Sequence, residues 1–532
     1  MGVDSDPVNH GWLCDRGRFN FEAVKSEHRV LQPLVREGDE LLPASWNTAL
    51  AAAAALITEA KAAGGVAGIA VIGGARGTNE DAFAWARVGH EVIGTPNVYS
   101  QMGDGLPVGL LGLDRATIDE AAHATTIVLL GPDLKEELPV LYLRLRDAAA
   151  KQRSRIIELT PKHTGLTRNA WRSIGYEPGT QVAAVQGVLA DGAIAAQLAK
   201  GNVVIVAGRA NLAESSAATI AALHALLAAV PGAKVLPAFR RGNVVGALQV
   251  GVRPGKGGLD TRGALQAAAD GKIECLVLLG ADPLADFPDT DLARRALAGA
   301  RRIIAVDTFL TQSSQRADVV LAASAYAEKS GTTTNLEGRV STVARQVTPA
   351  GSTRPDWMIA TELALVLGVD LGYGSVEAVT ADIAAKVAGF ESVTAEALAA
   401  DGNGVLAGVP AAIDPINVVE VDVRERNAYD FRLVVSRTLY DQATGTANSP
   451  SLAALPRGSA VHLHPLDLER VGTTAGTDVK VIGPRSTVVF TAVADETVLR
   501  GTAFVPFNNP GPNVGELIDC FAAVNDVRIE NL

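Results

Sequence analysis

The sequence predicts an α/β protein made of two doubly wound domains and a small β-barrel at the C-terminal end. Three observations in the 532 residues support this prediction. Short apolar runs of strand length alternate with helix-forming stretches, as in a mostly parallel sheet covered by helices. This alternation is interrupted at residues 176–179 and then restarts. After residue 416 the chain is rich in Val, Thr and Leu and is broken by Gly and Pro, which is typical of a barrel.

The first α/β unit begins with a predicted helix over residues 50–63, where almost every residue is a good helix former. Gly64 and Gly65 follow and suit the left-handed end of a helix. The segment GVAGIAVIGG then predicts a buried strand and a glycine turn. The other predicted elements are a helix over 80–93, a strand over 126–130, a helix over 138–151 and a strand over 155–159.

The second α/β unit and the barrel follow in the same order along the chain. The second unit has predicted strands over 203–207, 234–237, 275–280 and 302–307, and predicted helices over 217–229 and 289–298. A further helix is predicted over 357–367, beyond this unit. Residues 241–254 and 331–354 are predicted as loop and turn. The barrel strands are predicted over 433–436, 460–463, 478–482, 487–492 and 502–506.

The charge balance and the cysteine count exclude several classes of protein. Lysine and arginine total 47 against 58 aspartate and glutamate residues, a net charge of −11. An acidic chain gains no general attraction to nucleic acid or anionic lipid, so neither is an expected partner. Three cysteines far apart in sequence do not build a disulfide framework or a four-cysteine metal site. The apolar runs are too short to span a bilayer and no secretory leader is visible, so we expect a reducing compartment.

Catalytic motifs are sparse in this sequence. Among eight histidines only His462 and His464 are close together, and no cysteine or acidic residue completes a zinc pattern beside them. We therefore interpret them as ordinary strand histidines. The chain has no Walker loop, but residues 73–77 (GGARG) follow a strand and precede a helix. Their backbone amides are suited to hold an anion, and the alternative is a plain strand–turn–helix connection.

Of the three cysteines, Cys14 has charged sequence neighbours that affect its reactivity. It precedes Asp15, Arg16 and Arg18, and this electropositive environment favours a thiolate. The thiolate is a candidate nucleophile or a candidate ligand of a metal cluster, and the alternative is a free cysteine in a loop. Cys275 and Cys520 lie among apolar residues and are predicted to belong to the core.

Several segments, in the same order along nearly the whole chain, resemble the molybdopterin oxidoreductase superfamily. They are HGWLCDRGRF, GGARGTNEDAFAWARVGHEVIGTPNV, LGADPLADFPDTD, AVDTFLTQSSQRADVVLAASAYAEKSGTTTNLEGRV and RPDWMIATELALVLG. The C-terminal RTLYD…SPSLA pattern is most similar to the family of G subunits of bacterial NADH-quinone oxidoreductase, respiratory complex I. The resemblance implies an α/β fold with a C-terminal double-psi-like β-barrel that corresponds to a molybdopterin dinucleotide-binding domain.

The resemblance also assigns a role to Cys14. Chains of the G-subunit family open with iron–sulfur modules, in which three cysteines and a fourth in an LCDRGRF-like segment hold a [4Fe–4S] cluster. Cys14 stands at the fourth position, and its three partners are not in this sequence. A [4Fe–4S] cluster takes four thiolates, so we expect the ligand set of this chain to be incomplete. The chain is interpreted as the C-terminal part of the subunit, without its N-terminal iron–sulfur modules.

Catalytic members of the superfamily bind a bis-pterin guanine dinucleotide and ligate molybdenum or tungsten just after the segment that matches GTPNV. In this sequence Asp104 falls near that position, and the alternative is a turn residue before Gly105. The resemblance implies that Gly73, Gly74, Arg76, Gly77 and Asp104 line a vestigial pterin cleft. Because the G-subunit family is understood to lack the pterin, we expect molybdopterin to be absent from this chain.

Three functions remain open at this point. The first is a peripheral-arm subunit of complex I on the cytoplasmic side of the bacterial inner membrane. It would support iron–sulfur electron transfer from NADH to quinone beside other peripheral-arm subunits. The second is a catalytic molybdopterin-dependent oxidoreductase, similar to formate dehydrogenase or nitrate reductase, with Asp104 on the metal. The third is a non-functional truncation.

The resemblance implies a division of the chain into four parts. Residues 1–42 are expected to be the remnant of the [4Fe–4S] cap segment. Residues 43–178 with 340–415 are expected to form one discontinuous α/β domain, and residues 179–339 an inserted α/β domain. Residues 416–532 are expected to form the barrel.

Overall fold

A computed structural model describes residues 4–410, 413, 415–419 and 421–532. The chain divides into two compact units. The barrel unit comprises Met1–Phe19, Asp104–Phe239 and Ile413–Leu532, and the large-sheet unit comprises Asn20–Gly103 and Arg240–Ala412.

The described residues form strands that we number in chain order. They are β1 Leu34–Glu37, β2 Glu40–Pro43, β3 Ile69–Gly73, β4 Val98–Tyr99, β5 Thr126–Leu130, β6 Arg155–Thr160, β7 Arg172–Gly175, β8 Val203–Gly208, β9 Lys234–Ala238, β10 Cys275–Leu279, β11 Arg302–Asp307, β12 Val319–Ala322, β13 Gly331–Thr334, β14 Arg339–Val343, β15 Val405–Leu406, β16 Asp430–Arg437, β17 Val461–Leu463, β18 Asp478–Ile482, β19 Thr487–Ala494, β20 Thr502–Phe507 and β21 Asp526–Asn531.

The α-helices are numbered in the same way. They are α1 Asp15–Phe19, α2 Phe21–Val24, α3 Trp46–Gly64, α4 Asn79–Arg87, α5 Ile118–His123, α6 Leu134–Glu137, α7 Pro139–Ala150, α8 Gln181–Ala190, α9 Gly192–Leu198, α10 Ser216–Ala229, α11 Val244–Gln249, α12 Thr261–Ala269, α13 Pro283–Asp286, α14 Thr290–Gly299, α15 Asp356–Val366, α16 Val376–Lys386, α17 Ala395–Ala400, α18 Thr444–Ala447, α19 Pro450–Ala453 and α20 Pro465–Val471.

The large-sheet unit contains a seven-stranded sheet with the order β2-β1-β12-β11-β10-β3-β4. The strands from β12 to β4 run parallel, and β1 joins β12 in the antiparallel direction. Leu279 at the end of β10 lies opposite Gly73 of β3 and Val306 of β11. The loops that leave these three strands therefore start side by side at one edge of the sheet.

The barrel unit combines a five-stranded parallel sheet, order β7-β6-β5-β8-β9, with a closed six-stranded barrel, order β16-β20-β17-β19-β18-β21. Alternate side chains of the barrel strands fill its interior, and Leu433, Val435, Ala503 and Val505 are completely buried there. Closure removes the exposed strand edges that an open sheet of this size would present. The predicted fold class, two doubly wound α/β domains with a double-psi-like barrel, is thereby confirmed, and β21 supplies the sixth strand.

The two sheets divide the chain at different points from the predicted α/β boundaries. Strands β5, β6 and β7, assigned by the prediction to residues 43–178, pair with β8 and β9 of the barrel unit. Strand β3 instead pairs with β10, which the prediction placed in 179–339. The pattern of a buried parallel strand is local, whereas its pairing partner is set by contacts distant in sequence.

Three further segments differ from the prediction. Residues 1–42 do not form one cap, because β1 extends the seven-stranded sheet while residues up to Phe19 belong to the barrel unit. The predicted loop over 331–354 contains the antiparallel strands β13 and β14, and helix α11 lies inside the predicted loop over 241–254. Both segments are rich in Gly and Thr or interrupted by Gly, which obscured their periodicity.

Gly73 ends β3 in a backbone conformation that residues with a side chain rarely adopt. Its φ is +111°, and an added Cβ would collide with the carbonyl oxygen of Leu279 on the neighbouring strand. We expect Gly73→Ala to lower the free energy of unfolding by about 2–4 kcal/mol, because the strained φ adds to the steric collision. Chemical denaturation measures the loss.

Gly187→Ala is the matched control, because no atom lies within 4 Å of an added Cβ in helix α8. It should stabilise the protein by about 0.5–1 kcal/mol. Equal effects of the two changes would contradict this account.

Candidate functional site

The loop after β3 turns sharply before it enters helix α4. Gly73 and Gly74 take φ values of +111° and +90°, which only glycine adopts readily. Thr78 then caps α4: its side chain accepts the N–H of Asp81, and the Asp81 carboxylate accepts the N–H of Thr78. This loop carries the predicted residues Gly73, Gly74, Arg76 and Gly77, and places them at the carboxyl edge of the seven-stranded sheet.

Arg76 joins this loop to the loop after β10. Its Nη1 donates to the carbonyl oxygen of Gly280 at 2.9 Å, and its Nη2 lies 2.5 Å from Oδ2 of Asp286. The guanidinium of Arg241 lies 4.0 Å from the same Asp286 oxygen. Arg241 has a φ of +83°, a rare value for a residue with a side chain and one that is typical of functional loops. The structure thus brings residues 73–77, which the sequence offered as an anion-binding element, together with the loops that carry Gly280 and Arg241.

Three buried carboxylates share this edge of the sheet. Asp307 ends β11, and its Oδ1 accepts the backbone N–H groups of Thr308 at 2.8 Å and Phe309 at 3.3 Å. Burial raises the pKa of Asp307 to about 7. Burial also raises the pKa of Asp282, and the neighbouring Asp286 adds to this shift. None of these three residues was predicted from the sequence, although an acidic residue at the carboxyl end of a buried parallel strand, such as Asp307, is a signal for the binding edge.

The raised pKa of Asp307 predicts how this carboxyl changes stability with pH. The folded state binds the proton more tightly than the unfolded state, so the stabilisation is complete at acidic pH and is lost as pH rises towards 7. The loss is at most about 4 kcal/mol. Asp307→Asn should remove this part of the pH dependence, as measured by denaturation at pH 5 and pH 8. The exposed Asp401→Asn is the control, and an unchanged pH slope in Asp307→Asn would contradict the assignment.

Asp104, the candidate metal ligand, lies in the barrel unit. Its Oδ2 is 3.1 Å from Nη2 of Arg437, and the side chains of both residues are almost completely buried, at 2% and 1% exposed. Arg437 ends β16, and its guanidinium lies 4.6 Å from the centre of the Phe507 ring. A fully buried ion pair therefore occupies the place where the sequence suggested a free carboxylate. Arg437 was missed because it is 333 residues away in the chain.

Cys14 is half-buried and immediately precedes helix α1. Its Sγ accepts the N–H of Gly17 at 3.5 Å. Two contacts fix this helix within the barrel unit: the Tyr440 hydroxyl donates to Asp15 at 2.6 Å, and Arg16 lies 2.7 Å from Asp441. The hydrogen bond to Asp15 raises the pKa of Tyr440 to about 12. Tyr440 and Asp441, the last two residues of the RTLYD segment, thus fix the helix that follows Cys14.

The remaining candidate ligands have protein partners or are buried. His462 Nδ1 lies 3.0 Å from Asp495, and His464 accepts the N–H of Leu466 at 3.2 Å as the cap of α20. Cys275 is buried in β10, where burial raises its pKa to about 12, while Cys520 is only half-buried, contrary to its predicted core position. Over 4–410, 413, 415–419 and 421–532, no group of three or more His, Cys, Asp or Glu residues is arranged to hold a metal ion.

No helix in the described part of the chain combines the length and the hydropathy that a membrane crossing requires.

Two family models match this chain. The model described as Molybdopterin oxidoreductase matches residues 29–366. The model described as Molydopterin dinucleotide binding domain matches residues 431–527, which include most of the barrel. The predicted resemblance to the superfamily is confirmed by these matches.

The sequence is also similar to characterised relatives. It is 27% identical to the NADPH-Fe(3+) oxidoreductase subunit alpha of Geobacter sulfurreducens, over 99% of this chain and 71% of the relative. It is 29% identical to the G subunit of the NADH-quinone oxidoreductase of Mycobacterium bovis, over 97% of this chain. The match spans 65% of the length of that relative. The predicted resemblance to the G-subunit family is confirmed by this similarity.

Among solved structures, acetylene hydratase from Pelobacter acetylenicus has the same fold. The TM-score is 0.76, and the match covers 100% of this chain and 96% of the hydratase. The sequence identity is 13%, so the similarity concerns the fold alone.

Proposed function

Since the chain belongs to the molybdopterin oxidoreductase family, we propose that it is a non-catalytic subunit of the peripheral arm of an NADH-quinone oxidoreductase. In this role it packs beside the iron–sulfur path from NADH to quinone and supports it structurally. The observation that carries the proposal is the buried ion pair between Asp104 and Arg437. The similarity to a G subunit over 97% of the chain supports it.

The residues around Asp104 do not fit a molybdenum or tungsten ion. A metal ligand must direct its oxygen lone pairs and its negative charge at the metal. Here one carboxylate oxygen accepts from Arg437 at 3.1 Å, and both side chains are almost completely buried. A metal cation at this carboxylate would have to displace a buried guanidinium, which leaves that charge without its partner.

The edge of the seven-stranded sheet fits a pterin pyrophosphate poorly. Pyrophosphates bind at helix N-termini and backbone amides that are free of competing negative charge. At this edge the carboxylates of Asp282, Asp286 and Asp307 are buried together, and Arg76 already pairs with Asp286. The fold of the cofactor-binding family is retained, whereas the Arg76 guanidinium that could receive a phosphate at this edge is already paired with Asp286.

Cys14 is the residue through which the chain would take part in electron transfer. It is half-buried, and its helix is fixed by Tyr440 and Asp441. One thiolate supplies one ligand of a [4Fe–4S] cluster, which requires about four. We infer that a cysteine-bearing partner segment provides the others, and that the chain is held peripherally at the cytoplasmic face of the membrane by the complex. Neither nucleic acid nor direct insertion into lipid is part of this proposal.

The second candidate is a catalytic molybdopterin-dependent oxidoreductase that uses Asp104 as a metal ligand. The convergence of the loops that carry Arg76, Gly280 and Arg241 favours it, because such loops form ligand sites at the carboxyl edges of parallel sheets. In this function Arg437 would leave Asp104 when the metal is loaded. The chemistry supplied by the bound cofactor would be two-electron oxidation or reduction of a small substrate.

Co-purification tests the proposal directly. The chain with a C-terminal affinity tag is isolated from detergent-solubilised membranes of its native host, and NADH-dependent quinone reduction is measured in the eluate. We expect this activity to co-purify with the chain, together with cysteine-rich partner subunits. A chain that elutes alone, or that elutes with formate-dependent dye reduction, would contradict the proposal and support the second candidate or a truncation.

A further inference from the structure

A short segment after β8 fastens the five-stranded sheet to the barrel. We call residues 211–215 the strap. The N–H of Leu212 donates to the carbonyl oxygen of Val435 at 2.8 Å. The Asn211 side chain donates to the carbonyl of Leu433 at 3.0 Å and accepts the N–H of Val435 at 2.8 Å. The strap is thus hydrogen-bonded along barrel strand β16.

The second half of the strap contacts the segment that leads into β21, the barrel strand that pairs with β16. The N–H of Ser215 donates to the carbonyl of Ala523 at 2.9 Å, and the N–H of Asn525 donates to the carbonyl of Ala213 at 3.1 Å. The side chains of Leu212 and Ala213 are buried in the hydrophobic core of the barrel. The strap therefore contributes two side chains to the barrel core, in addition to its hydrogen bonds with the barrel backbone.

Glu214, the fourth of the five strap residues, contacts the segment that follows β7 of the five-stranded sheet. Its Oε2 accepts the N–H of Gly179 at 3.0 Å, and the residue is only 4% exposed. Gly179 has a φ of +90°, and an added Cβ would lie 2.8 Å from the Val423 side chain and 2.9 Å from that of Val524. This tight packing leaves the carboxyl group buried between the five-stranded sheet and the barrel.

The charged and titratable groups that face Glu214 are Arg209, Arg432 and Tyr176. The guanidinium of Arg209 donates to the backbone carbonyls of Glu214 and Asn211, at 2.5 and 3.2 Å.

Arg432 is engaged with other carboxylates, since it lies 2.8 Å from Asp526 and 3.0 Å from Glu177. Both arginines lower the pKa of Glu214, but burial outweighs them and raises it to about 7. Burial in the closed strap therefore favours the protonated, neutral form of Glu214 over the ionised form.

We propose that the strap is a pH-sensitive latch, which holds the barrel to the five-stranded domain while Glu214 is protonated and loosens when Glu214 ionises. The physical reason is the cost of an ionised carboxylate at a buried position, which strap opening relieves by hydration. The inference concerns only the barrel unit and is independent of the proposed function.

Native-state hydrogen exchange of the full chain tests the latch. The opening equilibrium constant of the strap is obtained from the protection factors of the Leu212 and Ser215 amides at pH 6 and pH 8. We expect this constant to increase about tenfold between these pH values, as follows from a closed-state pKa near 7 and an ordinary open-state pKa. In Glu214→Gln the constant should be the same at both pH values.

Asn211→Ala is the matched control, because it removes strap contacts without a titrating group. Its opening constant should rise by a similar factor at both pH values and keep the wild-type ratio between them. The proposal is overturned if wild-type protection factors at the strap agree at pH 6 and pH 8. It is also overturned if Glu214→Gln retains the wild-type pH dependence. The wild-type comparison alone decides the question if a variant fails to fold.

Discussion

Arg437→Met is expected to lower the free energy of unfolding of the barrel unit by about 3–5 kcal/mol. The substitution keeps the length of the side chain but removes the cation that lies 3.1 Å from Asp104, in a site where both side chains are almost completely buried. The cost arises because an ionised Asp104 would stay in low-dielectric surroundings without its guanidinium. Chemical denaturation followed by a spectroscopic probe of the barrel unit measures it.

A double-mutant cycle separates the ion pair from simple loss of packing. Asp104→Asn in the Arg437→Met background should restore most of the lost stability, since a neutral pair has no buried charge to solvate. Arg470→Met is the matched control: its guanidinium also stacks on an aromatic ring, Phe431, but its side chain is 35% exposed. Its effect should stay within about 1 kcal/mol. Equal losses of unfolding free energy in the two single variants, with no coupling to Asp104, would show that the buried ion pair contributes no more to stability than the exposed arginine.

Cys14→Ser is expected to remove one complete iron–sulfur cluster, about four iron atoms, from each copy of the purified complex. A serine hydroxyl is a poor replacement for a thiolate, and Cys14 is the cysteine that the Asp15–Tyr440 and Arg16–Asp441 contacts hold at the barrel unit. Iron per complex is measured by elemental analysis, and the lost cluster by electron paramagnetic resonance of the reduced complex.

Cys520→Ser is the control for this experiment, because Cys520 is also a half-buried cysteine of the barrel unit. We expect it to leave the iron content unchanged. If Cys14→Ser also retains all of its iron, Cys14 is not a cluster ligand and the chain takes no direct part in binding the cluster.

The local elements of the fold were predictable from the sequence, and their pairing was not. Apolar runs such as 126–130 and 203–207 lie in strands as expected, because burial on both faces leaves a continuous apolar signature. The same signature carries no information about which sheet a strand joins. For this reason β5–β7 were grouped with β3, although they pair with β8 and β9.

The candidate site was predictable only where its signal is local. The glycines at 73 and 74 are visible in the sequence because a strand–turn–helix connection requires their positive φ values. No local sequence signal marks Arg437, since its role depends on a contact with Asp104, which is 333 residues away in the chain. The raised pKa values of Glu214 and Asp307 depend on burial, which a single residue's identity does not reveal.

Metal analysis tests most directly whether the chain supports electron transfer without a molybdenum centre. Molybdenum, tungsten and iron are measured per copy of this chain, together with the intact mass of the polypeptide, after purification from membranes of the native host. We expect iron in the co-purified complex and neither molybdenum nor tungsten. One molybdenum or tungsten atom per chain would contradict it and would make Asp104 the metal ligand to examine.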